Sequence, residues 1–226
     1  MKKDLIVLHG ALGSSGQFEN SLAFLSDHFN VILLDFPGHG TNEENIPKLT
    51  IEHCAFYLQE QMKATPNASI FGYSMGGYIA LWTAAKQLIK PCSIMTLATK
   101  FAWSPEFAEK ENSMMELDNL IKIAPSFIES LKKQHGDKWI TLLEKTKVMM
   151  KELGDQALLT EAELSSIEVP VCICVGFRDK MVGIEESLWA ARHIPKAELE
   201  VFPMLQHPAE RINWEQVSYS MKVFLS

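Results

Sequence analysis

Arginine is scarce in this chain of 226 residues. Lysine and arginine together number 21, and only Arg178, Arg192 and Arg211 are arginines. Set against 28 aspartates and glutamates they leave a net charge of −7. No basic cluster exists to follow a phosphate backbone, so nucleic acid is excluded as the expected partner. Long apolar runs are missing too. The first, Leu5–Leu8, is four residues long and follows Lys2, Lys3 and Asp4. A secretory core needs ~7–15 apolar residues and a membrane span about 18 or more. The expectation is therefore a protein without leader or membrane span, cytoplasmic in location. The four cysteines, Cys54, Cys92, Cys172 and Cys174, sit in apolar surroundings and contain no Cys-x-x-Cys pair. They read as buried, reduced thiols, and neither a metal nor an organic cofactor is expected. Repeats and low-complexity tracts are also lacking. What remains is a globular composition, 47% hydrophobic and 22% charged, long enough for one large domain or two small ones.

Short apolar runs alternate with helical patterns. Leu5–Leu8, Val31–Leu34, Ser69–Phe71, Ser93–Leu97, Val169–Val175 and Leu199–Phe202 are the candidate strands. Several are apolar throughout, as parallel strands covered on both faces must be. Phe18, Leu22, Leu25 and Phe29 form one helical stripe. Ile51, Cys54, Ala55, Leu58 and Met62 form a second behind a Thr50 N-cap, and Trp214, Val217, Met221, Phe224 and Leu225 a third. The predicted fold is α/β, a doubly wound and mostly parallel sheet of about six strands. Residues 101–165 break the alternation. They carry helical patterning only, so they read as an insertion between two strands, placed to cover a site at the strands' C-terminal ends. The predicted division is a core of 1–100 and 166–226 with a helical lid of 101–165.

Gly72-Tyr73-Ser74-Met75-Gly76 fits the Gly-x-Ser-x-Gly nucleophile elbow, with a strand pattern before it and a helix pattern after it. The tight strand-to-helix turn demands small neighbours and lifts the Ser74 hydroxyl to a helix N-terminus. A serine needs a base and an orienting carboxylate. His28 and His193 fall late in helical patterns, His53 and His135 on helical or polar surfaces, and His9 and His39 in glycine-containing loops. His207 lies in the loop after the last strand pattern, on the side of the sheet where Ser74 is expected. Asp179, four residues after Val175, occupies the loop after the preceding strand. The order Ser74, Asp179, His207 gives the candidate catalytic set. Ala11, in the loop after the first strand, and Met75, directly after the nucleophile, are the candidate N–H donors to an oxyanion, with Leu12 as second choice to Ala11.

With these residues in place, the sequence resembles the α/β-hydrolase-fold superfamily over nearly all of the chain outside 101–165. The resemblance is carried by His9-Gly10, Asp35-Phe36-Pro37-Gly38-His39-Gly40, Gly72 to Gly77, Gly176 with Asp179, and His207. It departs in one respect, because members commonly have a β-hairpin before the His-Gly strand and this sequence starts on that strand. The resemblance implies acyl transfer through Ser74 without a cofactor. The expected substrate is a small, largely apolar ester or thioester, touched by Leu12, Tyr73, Trp103 and Trp139. Two alternatives share the scaffold. One is the menaquinone-pathway synthases that eliminate pyruvate, which typically carry Arg where this sequence has Tyr78. The other is the carbon–carbon bond hydrolases. A non-enzymatic alternative is a lidded small-molecule receptor. The sequence leaves the oligomeric state open.

Overall fold

The computed structural model describes residues 2–226. In chain order the elements are β1 (Lys3–Leu8), α1 (Glu19–Leu25), β2 (Phe29–Leu34), α2 (Ile51–Met62), β3 (Ser69–Tyr73), α3 (Met75–Ala85) and β4 (Ile94–Leu97). Next come α4 (Pro105–Met114), α5 (Leu117–Ile123), α6 (Pro125–His135), α7 (Trp139–Asp155) and α8 (Glu161–Ser165). The chain closes with β5 (Val171–Gly176), α9 (Ile184–His193), β6 (Ala197–Phe202) and α10 (Trp214–Leu225). Single 3-10 turns precede α1, α7 and α10. Among the described residues no helix is long and apolar enough to cross a membrane.

The six strands form one parallel sheet in the order β2-β1-β3-β4-β5-β6. Alternate side chains enter opposite cores, as the two-residue period of a strand requires. Ile6, Leu8, Ile70, Ile94 and Ile173 join the layer built with α2, α3 and α9. Leu5, Val7, Phe71, Met95, Cys172 and Cys174 join Leu25 of α1 and Trp214, Val217 and Met221 of α10. Burial on both faces explains why the inner runs of these strands are largely apolar. Helix α3 is buried on every side, from Met75 to Ala85. The Thr50 hydroxyl accepts the His53 N–H and caps α2 as predicted.

The Phe18–Phe29 stripe is divided differently from the prediction. Phe18 closes a 3-10 turn, α1 ends at Leu25, and Phe29 opens β2. All three of Phe18, Leu25 and Phe29 are nevertheless buried in the same core layer. The spacing marked burial correctly while the backbone changed from helix to strand.

Helices α4 to α8 lie between β4 and β5. Leu120, Leu131, Leu142, Met149 and Leu153 of these helices extend the core layer that covers α2 and α3. Several hydrogen bonds tie the inserted segment to the core, three sets of them beside the cavity and the sheet. The Tyr78 hydroxyl of α3 accepts the N–H groups of Leu158 and Leu159 at 2.9 and 3.0 Å. Glu186 of α9 accepts the Phe101 and Ala102 N–H groups, each at 2.7 Å. His135, at the end of α6, donates from Nε2 to the Leu12 carbonyl at 3.0 Å and accepts the Gly40 N–H at Nδ1, 2.9 Å.

Candidate active site

The chain runs outward from β1 to β2 and then back across to β3. The strand order therefore reverses between β1 and β3, the place where crevices open in doubly wound sheets. Ser74 sits there, between the last residue of β3 and the first of α3, with φ 51° and ψ −114°. This is a sparsely populated conformation for a non-glycine residue, and its neighbours hold it in place. Its N–H donates to the Leu97 carbonyl at 2.8 Å, and its carbonyl accepts the Thr99 hydroxyl at 3.1 Å. The turn closes only because its flanks lack side chains. A Cβ on Gly72 would meet backbone atoms of Gly77 at 2.5 Å, and one on Gly76 would meet the Leu8 carbonyl oxygen at 2.6 Å.

Asp179 and His207 come from the turns after β5 and β6. The Asp179 side chain is wholly withdrawn from solvent. Its Oδ1 accepts the N–H groups of Met181 and Val182 at 2.8 and 2.9 Å, and its Oδ2 lies 2.9 Å from His207 Nδ1. A carboxylate can only accept, so His207 carries its proton on Nδ1 and leaves Nε2 as an acceptor. The Tyr73 hydroxyl donates to the His207 carbonyl, holding this turn beside the elbow. Ser74 and His207 both line one cavity of about 380 Å³. No hydrogen bond joins their side chains among the described residues, a contact that commonly tightens only with substrate in place.

The predicted donor loop is a turn from Gly10 to Gly13, closed by the Gly13 N–H on the Gly10 carbonyl at 3.1 Å. Leu12 takes φ 58° at its third position, where glycine is usual. The Ala11 and Met75 N–H groups have no partner in the protein among the described residues, and both residues line the cavity. Met75 opens α3, so its amide belongs to the positive end of the helix.

Three buried imidazoles support this loop. His9 donates from Nδ1 to the Gly10 carbonyl at 2.8 Å and accepts the Phe36 N–H at Nε2, 3.0 Å. Burial pushes its pKa down to about 4. The His39 ring lies 4.8 Å from that of His9, tilted by 44°, and His135 lies 5.9 Å beyond His39. Burial lowers the pKa of both, that of His39 well below the ordinary range. His135 is therefore not the surface histidine predicted. The lysines before it face solvent, but the turn that ends α6 directs the imidazole inward.

Of the residues predicted to touch substrate, Leu12, Tyr73 and Trp103 line the cavity and Trp139 does not. Trp139 opens α7 and packs against the core layer instead. Several lining side chains were missed: Gln17, Tyr78, Lys100, Glu111 and Met181. Only Tyr78 had a signal, its place four residues after the nucleophile. On the far side of β5, Cys172, Cys174 and Glu200 bring three donor atoms within 4.8 Å of one another. Burial raises the Cys174 thiol pKa, away from the thiolate a metal ion requires.

Comparison with known proteins bears on the family and the fold. The family model for the alpha/beta hydrolase fold matches residues 4–119. A pimeloyl-[acyl-carrier protein] methyl ester esterase of Chromobacterium violaceum is 27% identical over 90% of this chain and 87% of its own. A Haemophilus influenzae protein, provisionally assigned as a 2-succinyl-6-hydroxy-2,4-cyclohexadiene-1-carboxylate synthase, is 40% identical over 36% of this chain and 33% of its own. A solved thermophilic esterase of Thermogutta terrifontis superposes with a TM-score of 0.77 at 22% identity, covering 100% of this chain and 90% of that one. The chain belongs to the alpha/beta hydrolase fold family.

Proposed function

We propose that this protein is a serine hydrolase that cleaves a carboxylic ester or thioester of a small, largely apolar substrate. The observation that carries the reading is the buried Asp179–His207 pair, opening with Ser74 onto one apolar cavity. In this reading His207 Nε2 takes the proton of Ser74 Oγ as the oxygen attacks the substrate carbonyl. The Ala11 and Met75 N–H groups receive the oxyanion, and His207 Nε2 returns the proton to the departing alcohol or thiol. Water, deprotonated by the same nitrogen, then hydrolyses the acyl-enzyme. Asp179 holds the imidazole in the tautomer that both steps need. Residues 101–165 act as the lid over a core of 1–100 and 166–226, since Trp103, Phe107, Met114, Met115 and Met150 supply much of the cavity wall. The Chromobacterium relative is named for a methyl ester of an acyl group, which is the same bond class on an apolar chain.

The Haemophilus similarity favours a second reading, a synthase on the same triad, but the cavity argues against it. Lys100 is the one lysine or arginine in the lining, and its Nζ is bound to Glu186 at 2.7 Å. Among the described residues of the lining, no free lysine or arginine remains to receive a polycarboxylate. Tyr78, where such synthases would offer a cation, directs its hydroxyl to two backbone N–H groups.

The test is hydrolysis of short p-nitrophenyl esters together with labelling by a fluorophosphonate. Ser74→Ala is expected to lower kcat by ~10⁴-fold or more and to abolish labelling. Ester hydrolysis that survives in Ser74→Ala would refute the mechanism.

A further inference from the structure

Glu111 is a charged cavity residue whose chemistry the hydrolase reading leaves idle. It stands on α4 with 7% of its surface exposed, and it lines the cavity beside Trp103, Phe107, Met115 and Met150. Its carboxylate accepts no hydrogen bond from the protein among the described residues. The other buried glutamate near the cavity shows what a structural role looks like. Glu186 accepts the N–H groups of Phe101, Ala102 and Gly183 and pairs with Lys100, so all its capacity is engaged. Lys100 is committed in turn, with Nζ on Glu186 and 4.2 Å from the centre of the Phe107 ring. It is not free to neutralise Glu111.

The carboxylate thus meets the cavity without a protein partner, and in so confined and apolar a place a group that completes its hydrogen bonds is favoured. Burial raises the Glu111 pKa, and the positive charges of Lys110 and Lys100 oppose that rise. A second anion against α4 would meet like charge in a water-poor site. A group with N–H or O–H to give would find a charge-assisted acceptor there, roughly twice as strong as a neutral one.

We propose that Glu111 is a recognition carboxylate, and that the cavity selects substrates bearing a hydrogen-bond donor, a hydroxyl or an ammonium, on the part that lies against α4. This rests on the cavity being the substrate site of the proposed hydrolase. It narrows the substrate from an apolar ester to an apolar ester with one donor, and it excludes a carboxylate at that position.

The experiment measures binding to the Ser74→Ala protein, so that turnover plays no part. Hexylammonium, 1-hexanol and hexanoate are titrated at pH 7 into Ser74→Ala by isothermal calorimetry. They are then titrated into the same protein carrying Glu111→Gln or Glu111→Leu, with thermal melts to show that each variant is folded. In Ser74→Ala, hexylammonium is expected to bind about 10-fold or more tightly than hexanoate. Glu111→Gln should remove the ammonium preference and keep the alcohol, which still finds an amide oxygen. Glu111→Leu should weaken both. Equal or tighter binding of hexanoate in Ser74→Ala overturns the proposal, and so does an ammonium preference that persists in both Glu111 variants. Ester hydrolysis by the wild-type protein is measured in parallel. Its absence would remove the hydrolase reading, whereas a lost ligand ranking with hydrolysis intact removes the role of Glu111 alone.

Discussion

Mild acid should unfold this protein through its buried imidazoles, before carboxylate protonation becomes general. His9 is held neutral at a pKa of about 4 against an ordinary value near 6.5, chiefly by burial. Protonation would also turn Nε2 into a donor facing the Phe36 N–H. Burial holds His39 and His135 neutral as well, and a proton on His135 Nδ1 would face the Gly40 N–H. In the unfolded chain all three take up protons near pH 6.5. The unfolded state therefore binds more protons below that pH, and stability rises with pH through this window. The stabilisation is present above 6.5 and is lost as pH falls toward the folded pKa values. Between pH 7.5 and 5.5, each imidazole that stays neutral in the fold contributes a loss of about 1.4 kcal/mol. His9 and His39 together give ~3 kcal/mol, and His135 brings the total to at most ~4 kcal/mol. That is a large part of the ~5–15 kcal/mol that holds a typical domain folded. The check is urea unfolding followed by circular dichroism at pH 7.5, 6.5 and 5.5. At an unchanged slope of ~3 kcal/mol/M, the midpoint should fall by about 1 M. A loss below ~1 kcal/mol over this range would refute the reasoning, because it would mean that the three rings are protonated inside the fold or are not buried as described.

Two further outcomes test other parts of the structure. Tyr78→Phe keeps the ring in place but leaves the Leu158 and Leu159 N–H groups without an acceptor. At ~1–3 kcal/mol for each orphaned group it should lower Tm by about 5–12 °C in calorimetry, and a change under about 2 °C would show that the contact does not anchor the inserted helices. Asp179→Asn is more specific, because the Met181 and Val182 N–H groups demand an oxygen on their side. The Asn amide nitrogen must then face His207 Nδ1 and move the ring proton to Nε2, so that the ring no longer accepts from Ser74. A fall in kcat of about 10⁴-fold with a largely unchanged melting temperature is expected, and a fall under ~10-fold would contradict the role given to Asp179.

Those side chains also show where sequence reading succeeds. Each of the six candidate strands coincides with a strand of the sheet; the inner strands β1 and β5 are written as apolar runs because both their faces are buried, whereas the edge strand β6 keeps Glu198 and Glu200. Ser74 was legible because its turn requires glycines at fixed offsets, and those offsets are local. Asp179 and His207 lie 28 residues apart and share no pattern; they became legible only through the rule that places loops after successive strands at one edge of the sheet.

His135 and Glu111 had no such rule. His135 follows Lys132, Lys133 and Gln134, and Glu111 lies within Glu109-Lys110-Glu111-Asn112, so both segments read as solvated helix faces. The partners of His135 are Leu12 and Gly40, respectively 123 and 95 residues earlier in the chain. Periodicity reports whether a helix has an inner face, and one polar residue turned inward at a helix end hardly changes that signal. For both side chains the neighbouring sequence offers no partner, so nothing local marks them as turned inward. His135 has found its partner in the oxyanion turn and so reads as structure. Glu111 has found none within the chain, so what completes its hydrogen bonds must come from outside it.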